Sequence, residues 1–341
     1  MGLAVILAGM TVSSNAADAR HHGDGYKHVA HRTIPAAHSA NVESYSPRPA
    51  SIVVDGNSGS VLQESNPDAL RHPASLTKIM TLYLLFEQLE AGKLRFDTPL
   101  KVSVHASEQA PSKLGLQQGG TIGTEDAIKA IVTRSANDVA VAVAENLSGD
   151  EGQFAKLMTE KARSLGMMHT TYVNASGLPD NNQVTTARDQ AVLGRAIQER
   201  FPRYYKYFST ATFVYHGNAI RNHNHLLGSV EGVDGIKTGY TRASGFNLVT
   251  SVHRGGSSLV AVVLGGATAT QRDARMRELI SSNIKLTSLR RGSPAIAEKA
   301  EPVEAPGAPP VAFSEDDTTL RPGSTEPIRP VLVKTITFGA R

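Results

Sequence analysis

The period of the apolar positions changes along this chain, and the changes mark out its elements. Ile52, Val53 and Val54 form a short apolar run, Gly56, Asn57, Ser58 and Gly59 bring turn chemistry, and Val61 and Leu62 resume the run, which predicts a β-hairpin. A second hairpin is predicted where strand-like runs at 246–252 and 259–264 flank Arg254, Gly255 and Gly256. Between the two the period is helical. Residues 76–89 end before Gly92, 124–147 before Gly149 and 153–165 before Gly166, so each predicted helix has a glycine where a left-handed C-terminal cap needs one. Strands at both ends enclosing a helical middle predict the α+β class: an antiparallel sheet built from the N-terminal hairpin and the strands after Lys237, packed with a mainly helical lobe.

Outside this region the pattern differs. Residues 1–16 hold an apolar run from Leu3 to Val12 and then Ser14 and Ala16, the small-x-small spacing of signal cleavage, so export is expected. Basic residues are missing before Leu3, and the true start is expected upstream. Residues 17–49 carry His21, His22, His28, His31 and His38 among alanine, serine and proline without any period. Their irregular spacing argues for a linker over a metal site. From 287 to 341 the chain is rich in proline, with Pro294, Pro302, Pro306, Pro309, Pro310, Pro322, Pro327 and Pro330 interleaved with acidic residues, a composition that cannot bury enough apolar surface to fold. The intervening 50–286 is the predicted folded domain.

Composition narrows the chemistry. With 341 residues, 40% of them apolar, the chain can bury a sizeable core, and no stretch reaches the roughly 18 apolar residues of a membrane span. The net charge of +4 comes without a dense basic run, which disfavours nucleic acid as a partner. Cysteine is absent, so thiolate catalysis, disulfides and Cys-ligated metals are excluded. The nucleophile must be oxygen or nitrogen.

Three motifs supply candidates. Ser75-Leu76-Thr77-Lys78 is an S-x-x-K at the start of an apolar helix, where the three-residue spacing puts hydroxyl and amine on one face. A serine hydroxyl needs a base beside it, and lysine can serve only if burial or a second cation lowers its pKa. Ser135-Ala136-Asn137 is an S-x-N whose side chains can relay a proton and hold both lysine and substrate amide. Lys237-Thr238-Gly239 is a K-T-G before a strand; its glycine permits close backbone approach, its threonine can bind a carboxylate, and its lysine is a second cation of the kind that would keep Lys78 neutral. Each motif alone is common. Their order is that of penicillin-binding proteins and class A β-lactamases.

From about residue 50 to 286 the chain resembles the D-alanyl-D-alanine carboxypeptidases of the low-molecular-mass penicillin-binding proteins, the S11 serine peptidases. The resemblance rests on PASLTKIMT at 73–81, RSANDVAVAV at 134–143, NASGLPDNNQVTTARD at 174–189 and GIKTGYTRASGFNL at 235–248. It implies a β-lactamase/transpeptidase-like fold, with the active site where the Ser75 helix faces the Lys237 strand. It implies Ser75 as the acylated nucleophile, Lys78 as general base, and Ser135 with Asn137 as proton relay and substrate clamp. Lys237 and Thr238 would help bind the substrate's terminal carboxylate, the backbone N–H groups of Ser75 and of Tyr240, after Gly239, would form the oxyanion hole, and Arg272 would recognise the free C-terminus, with Arg275 and Arg277 close by.

The implied reaction releases D-alanine from peptidoglycan stem peptides and needs no metal or organic cofactor. β-Lactam antibiotics would acylate Ser75, and the site of action would be the bacterial cell envelope, in the periplasm. Three rivals share these residues. A class A β-lactamase needs a glutamate for its deacylating water, and 177–189 contains none. An endopeptidase on peptidoglycan crosslinks, and a penicillin-binding scaffold without turnover, are the others. The histidines at 216, 223, 225 and 253 are expected to pack or to sit on loops.

Overall fold

Along β9 (Ser257–Gly266), Val260, Val262 and Leu264 face one side and Leu259, Ala261 and Val263 the other, and all six are buried. An unbroken apolar run is what a strand covered on both faces requires. The computed structural model describes residues 49–289. The expected signal segment 1–16, the linker up to residue 48 and the proline-rich tail from 290 onward lie outside the described residues.

β9 lies at the centre of a five-stranded antiparallel sheet. On one side it pairs with β1 (Ala50–Asp55), itself paired with β2 (Val61–Ser65); on the other it pairs with β8 (Gly245–Arg254), which pairs with β7 (Val233–Thr241). β7 is therefore the edge on which the K-T-G lies. One face of the sheet packs against the helical lobe and the other against α8 (Ala269–Asn283), through Met276, Leu279 and Ile280.

The lobe is built around α1 (Thr77–Glu90), buried at every position from Thr77 through Phe86. A helix apolar all round is a core helix. It is surrounded by α4 (Asn137–Ser148), α5 (Glu151–Ser164) and α6 (Ala187–Arg200). Two small hairpins complete the fold, one from β3 (Pro99–Lys101) and β4 (Thr121–Gly123), which flank the short α2 (Val104–Ser107). The other, β5 (Thr212–Tyr215) with β6 (Asn218–Arg221), follows the short α7 (Pro202–Tyr205). These short strands have no long apolar run to announce them.

One predicted element is corrected. The helix expected over 124–147 is two helices, α3 (Thr124–Thr133) and α4, separated by a break at which Ser135 takes φ +57°. Left-handed backbone cannot continue a right-handed helix. No proline or glycine marks the break, so periodicity alone reads straight through it. The break turns the S-x-N residues toward α1.

Candidate active site

Ser75 lies on a short 3-10 turn, Ala74–Leu76, and Lys78 in the first turn of α1 that continues it. The Lys78 side chain is fully buried. Its Nζ lies 3.2 Å from Ser75 Oγ, donates to Asn137 Oδ1 at 2.7 Å and donates to the Ser176 carbonyl. Burial first, and the Lys237 cation second, hold the Lys78 amine well below the ordinary lysine range, against the opposing pull of Asp138 and Glu151.

Two neighbouring segments fix this arrangement. Thr81 Oγ1 donates to the Ala175 carbonyl at 2.7 Å, and Ala175 N–H donates to Glu151 Oε1 at 2.9 Å, so the 174–178 segment is pinned from both α1 and α5. Gly177 (φ +84°) lies so close to the nucleophile's turn that a Cβ there would come 1.9 Å from the Ala74 carbonyl oxygen. Gly177→Ala therefore combines a left-handed backbone cost with a backbone clash. The expected loss is about 2 kcal/mol or more, read as a lower urea midpoint, together with loss of Ser75 acylation. Unchanged stability would contradict this packing.

Asn137 opens α4 and is held at both ends of its amide, with Nδ2 donating to the Ala110 carbonyl at 2.7 Å. Next to it, Asp138 accepts from the backbone N–H groups of Leu114, Gly115 and Leu116, which ties down the wall that carries Pro111 and Ser112. Ser135 Oγ is buried and has no hydrogen-bond partner among the described residues. It lines the cleft.

Across the cleft runs β7. A Cβ at Gly239 would come 3.1 Å from both the Ser75 N and the Pro73 carbonyl oxygen, so a side chain there would press the nucleophile's turn away by a few tenths of an ångström. Lys237 is buried; its Nζ donates to the Thr238 carbonyl at 3.0 Å, and burial together with the nearby Arg272 cation pushes its pKa down to about 7. Thr238 lines the cleft, whereas Lys78 and Lys237 lie beneath its surface. The Tyr240 ring packs against Phe246 with centroids 4.2 Å apart, and both residues line the cleft.

Arg272 closes the far end from the first turn of α8. Its guanidinium is held by Asp273 Oδ1, at 2.9 Å from Nε and 2.7 Å from Nη2, and Nη1 donates to the Asn247 carbonyl at 3.3 Å. Arg272 lines the cleft; Arg275, paired with Glu278, and Arg277 do not. The structure thus brings Ser75, Lys78, Ser135, Asn137, Lys237, Thr238, Gly239, Tyr240 and Arg272 to one cleft of about 400 Å³. Among the described residues, no carboxylate lines it.

Sequence reasoning missed several contributors. Asn247 Nδ2 donates to the carbonyls of His72 and Pro73, at 3.1 and 3.3 Å, while its Oδ1 accepts from Gly265 N–H, tying the nucleophile's turn to β8. His223 and His225 sit on a loop, as expected, but that loop forms part of the cleft wall. Burial and then Lys237, Arg134, His225 and Lys78 push His223 down to about 4, so the ring is neutral at pH 7. Glu151 acts from beneath. Nothing in local periodicity marks any of these, since each depends on chain crossings far apart in sequence.

Comparison with known proteins agrees with the fold. The sequence profile of the family Peptidase_S11, described as D-alanyl-D-alanine carboxypeptidase, matches residues 36–268. The chain is 31% identical over 254 residues to the D-alanyl-D-alanine carboxypeptidase DacF of Bacillus subtilis strain 168, covering 73% of this chain and 63% of that one. It is 34% identical over 255 residues to DacA of Escherichia coli strain K12, covering 73% and 62%. The chain thus spans less than two thirds of the length of these relatives. Among solved structures, penicillin-binding protein D2 of Listeria monocytogenes in its cefotaxime-bound form superimposes with a TM-score of 0.63 at 32% identity, covering 68% of this chain and 95% of that one.

Proposed function

Because the chain belongs to the D-alanyl-D-alanine carboxypeptidase family of serine peptidases, we propose that it removes the terminal D-alanine from peptidoglycan stem pentapeptides through an acyl-enzyme on Ser75. The observation that carries this reading is the hydrogen-bond count at Lys78. A neutral amine has two N–H donors and one lone pair. Asn137 Oδ1 and the Ser176 carbonyl take the two donors, which leaves the lone pair for the Ser75 hydroxyl 3.2 Å away. A lysine so placed is a general base and not a surface cation.

The arrangement supports the following steps. Ser75 Oγ attacks the carbonyl between the two D-alanines as its proton passes to Lys78 Nζ. The oxyanion forms between the backbone N–H groups of Ser75 and Tyr240, at about 3 kcal/mol per donor. Ser135 Oγ, free of other partners among the described residues, relays the proton held by Lys78 to the departing amine, giving up its own as it takes the lysine's, so that the amine of Lys78 is neutral again for the second step. Water then hydrolyses the ester and restores Ser75. Lys237, Thr238 and Arg272 form the cationic end that receives the substrate carboxylate. The absence of a carboxylate from the described cleft lining supports slow release of an antibiotic acyl group, and hence β-lactams as covalent inhibitors and not substrates. The peptidase domain spans 50–286, and such a substrate places the protein in the cell envelope, on the periplasmic side.

The carboxylate end is tested by comparing peptides that end in D-Ala-D-Ala as free acid and as amide. Arg272→Ala raises KM for the free acid roughly tenfold or more and leaves the amide unaffected; Arg275→Ala changes neither. An unchanged KM for the acid in Arg272→Ala would remove Arg272 from the binding site.

A further inference from the structure

At the opposite end of β7 from Thr238, three adjacent strands bring together an acid, an imidazole and a hydroxyl. Asp234 is on β7, His253 on β8 and Ser258 on β9. His253 and Ser258 are direct cross-strand neighbours, so their side chains share a face. The β7–β8 register slips between Val233 and Gly235, and this bulge at Asp234 re-aims its carboxylate along the strand. His253 Nδ1 lies 2.8 Å from Asp234 Oδ2, and His253 Nε2 lies 3.1 Å from Ser258 Oγ.

The tautomer follows from the partners. An ionised carboxylate only accepts, so Nδ1 carries the proton, and Nε2 of the neutral ring then accepts from the Ser258 hydroxyl. Burial alone would raise the Asp234 carboxyl, but hydrogen bonds from His253, Ser251 and Tyr205 hold it below its ordinary value and keep it ionised. Acid, base and hydroxyl thus have the connectivity of a serine-hydrolase triad.

A purely structural clamp would be sealed. Here Ser258 and His253 line a cavity of about 220 Å³ that shares no lining residue with the Ser75 cleft. The His253 side chain is 50% exposed, so water and product can exchange. Gly56 keeps the space next to the hydroxyl open, since a Cβ there would come 2.1 Å from Ser258 Oγ. Arg195 lines the same cavity, with its Nη2 held by Glu199 at 2.9 Å.

We infer that Asp234, His253 and Ser258 form a second nucleophilic site, independent of Ser75, that hydrolyses short-chain carboxylic esters. Ser258 Oγ attacks the ester carbonyl, His253 Nε2 takes its proton and passes it to the alkoxide as the C–O bond breaks, and the alcohol leaves. Water adds to the acyl-serine by the same base, releasing the acid and restoring the hydroxyl. The Arg195 cation on the cavity wall supplies the nearby positive charge for the developing oxyanion. One guanidinium is a weaker partner than two aimed backbone amides, so the site suits esters, whose leaving groups depart more readily than amines.

The test uses the Ser75→Ala protein, in which the second site is intact. It is treated with an alkyl fluorophosphonate, whose phosphorus bonds to a base-activated serine oxygen as fluoride leaves, and the adduct is located by mass spectrometry. Ser258 is expected to carry it, with hydrolysis of p-nitrophenyl acetate lost in parallel. Adding His253→Ala to Ser75→Ala is expected to slow labelling roughly 10²-fold, and Ser258→Ala in the otherwise native chain to leave Ser75 acylation by penicillin unchanged. An unmodified Ser258 in folded Ser75→Ala protein overturns the inference, as does equal labelling with and without His253.

Discussion

Lys78→Arg and Lys78→Met both abolish acylation of Ser75 by penicillin, lowering its rate by roughly 10²–10⁴-fold. The pair separates two roles that one substitution confounds. Arginine keeps the positive charge and cannot be deprotonated in a protein, so an electrostatic role would survive in Lys78→Arg and a proton-accepting role would not. Methionine keeps the apolar stem inside a core where the native side chain is wholly buried. Lys78→Met leaves Asn137 Oδ1 and the Ser176 carbonyl without their donor, and Lys78→Arg forces a larger head into a fully buried site, so folding is checked by urea unfolding before rates are compared. The native rate has an acid limb. Burial and Lys237 place the Lys78 amine far below ordinary lysine, and the rate falls as pH drops through that lowered value and the lone pair is protonated. Substantial penicillin labelling in either variant would refute lysine as the base.

Lys237→Met has the second-largest effect, and it moves two quantities at once. Removing a cation near Lys78 lets that amine hold its proton more tightly, so the acid limb of the acylation rate moves to higher pH. The substrate carboxylate also loses a charged partner, and kcat/KM for a free-acid peptide falls roughly 10–10²-fold. In the native protein Lys237 itself titrates near 7 because of burial and Arg272. It is cationic below that value and neutral above it, so KM for the free-acid peptide rises as pH passes upward through about 7. The amide peptide shows no such rise. An acid limb that stays in place in Lys237→Met would mean that burial alone depresses Lys78.

The parts of the fold legible in the sequence were those that one segment specifies alone. The runs that became β1, β8 and β9 are apolar because both faces of the sheet are covered, and α1 could be read for the same reason. The S-x-x-K put Ser75 and Lys78 within reach because three residues along one continuous turn fix their separation. Long-range arrangements were not legible. The break at Ser135 has no local marker, because the left-handed residue there is not glycine. Glu151, Asn247 and the two histidines on the cleft wall enter through chain crossings that no periodicity encodes. His253, expected to pack or to sit on a loop, stands on β8 between a carboxylate and a serine that come from neighbouring strands.

The proposed reaction is the cutting of a D-Ala-D-Ala bond by Ser75, activated by Lys78. Its most direct test is the D-alanine released from a stem pentapeptide ending in D-Ala-D-Ala, measured for the native protein and for Ser75→Ala. Release by the native protein that disappears in Ser75→Ala is the predicted result. A folded native protein that is acylated by penicillin yet releases no D-alanine, or equal release by both proteins, would contradict it.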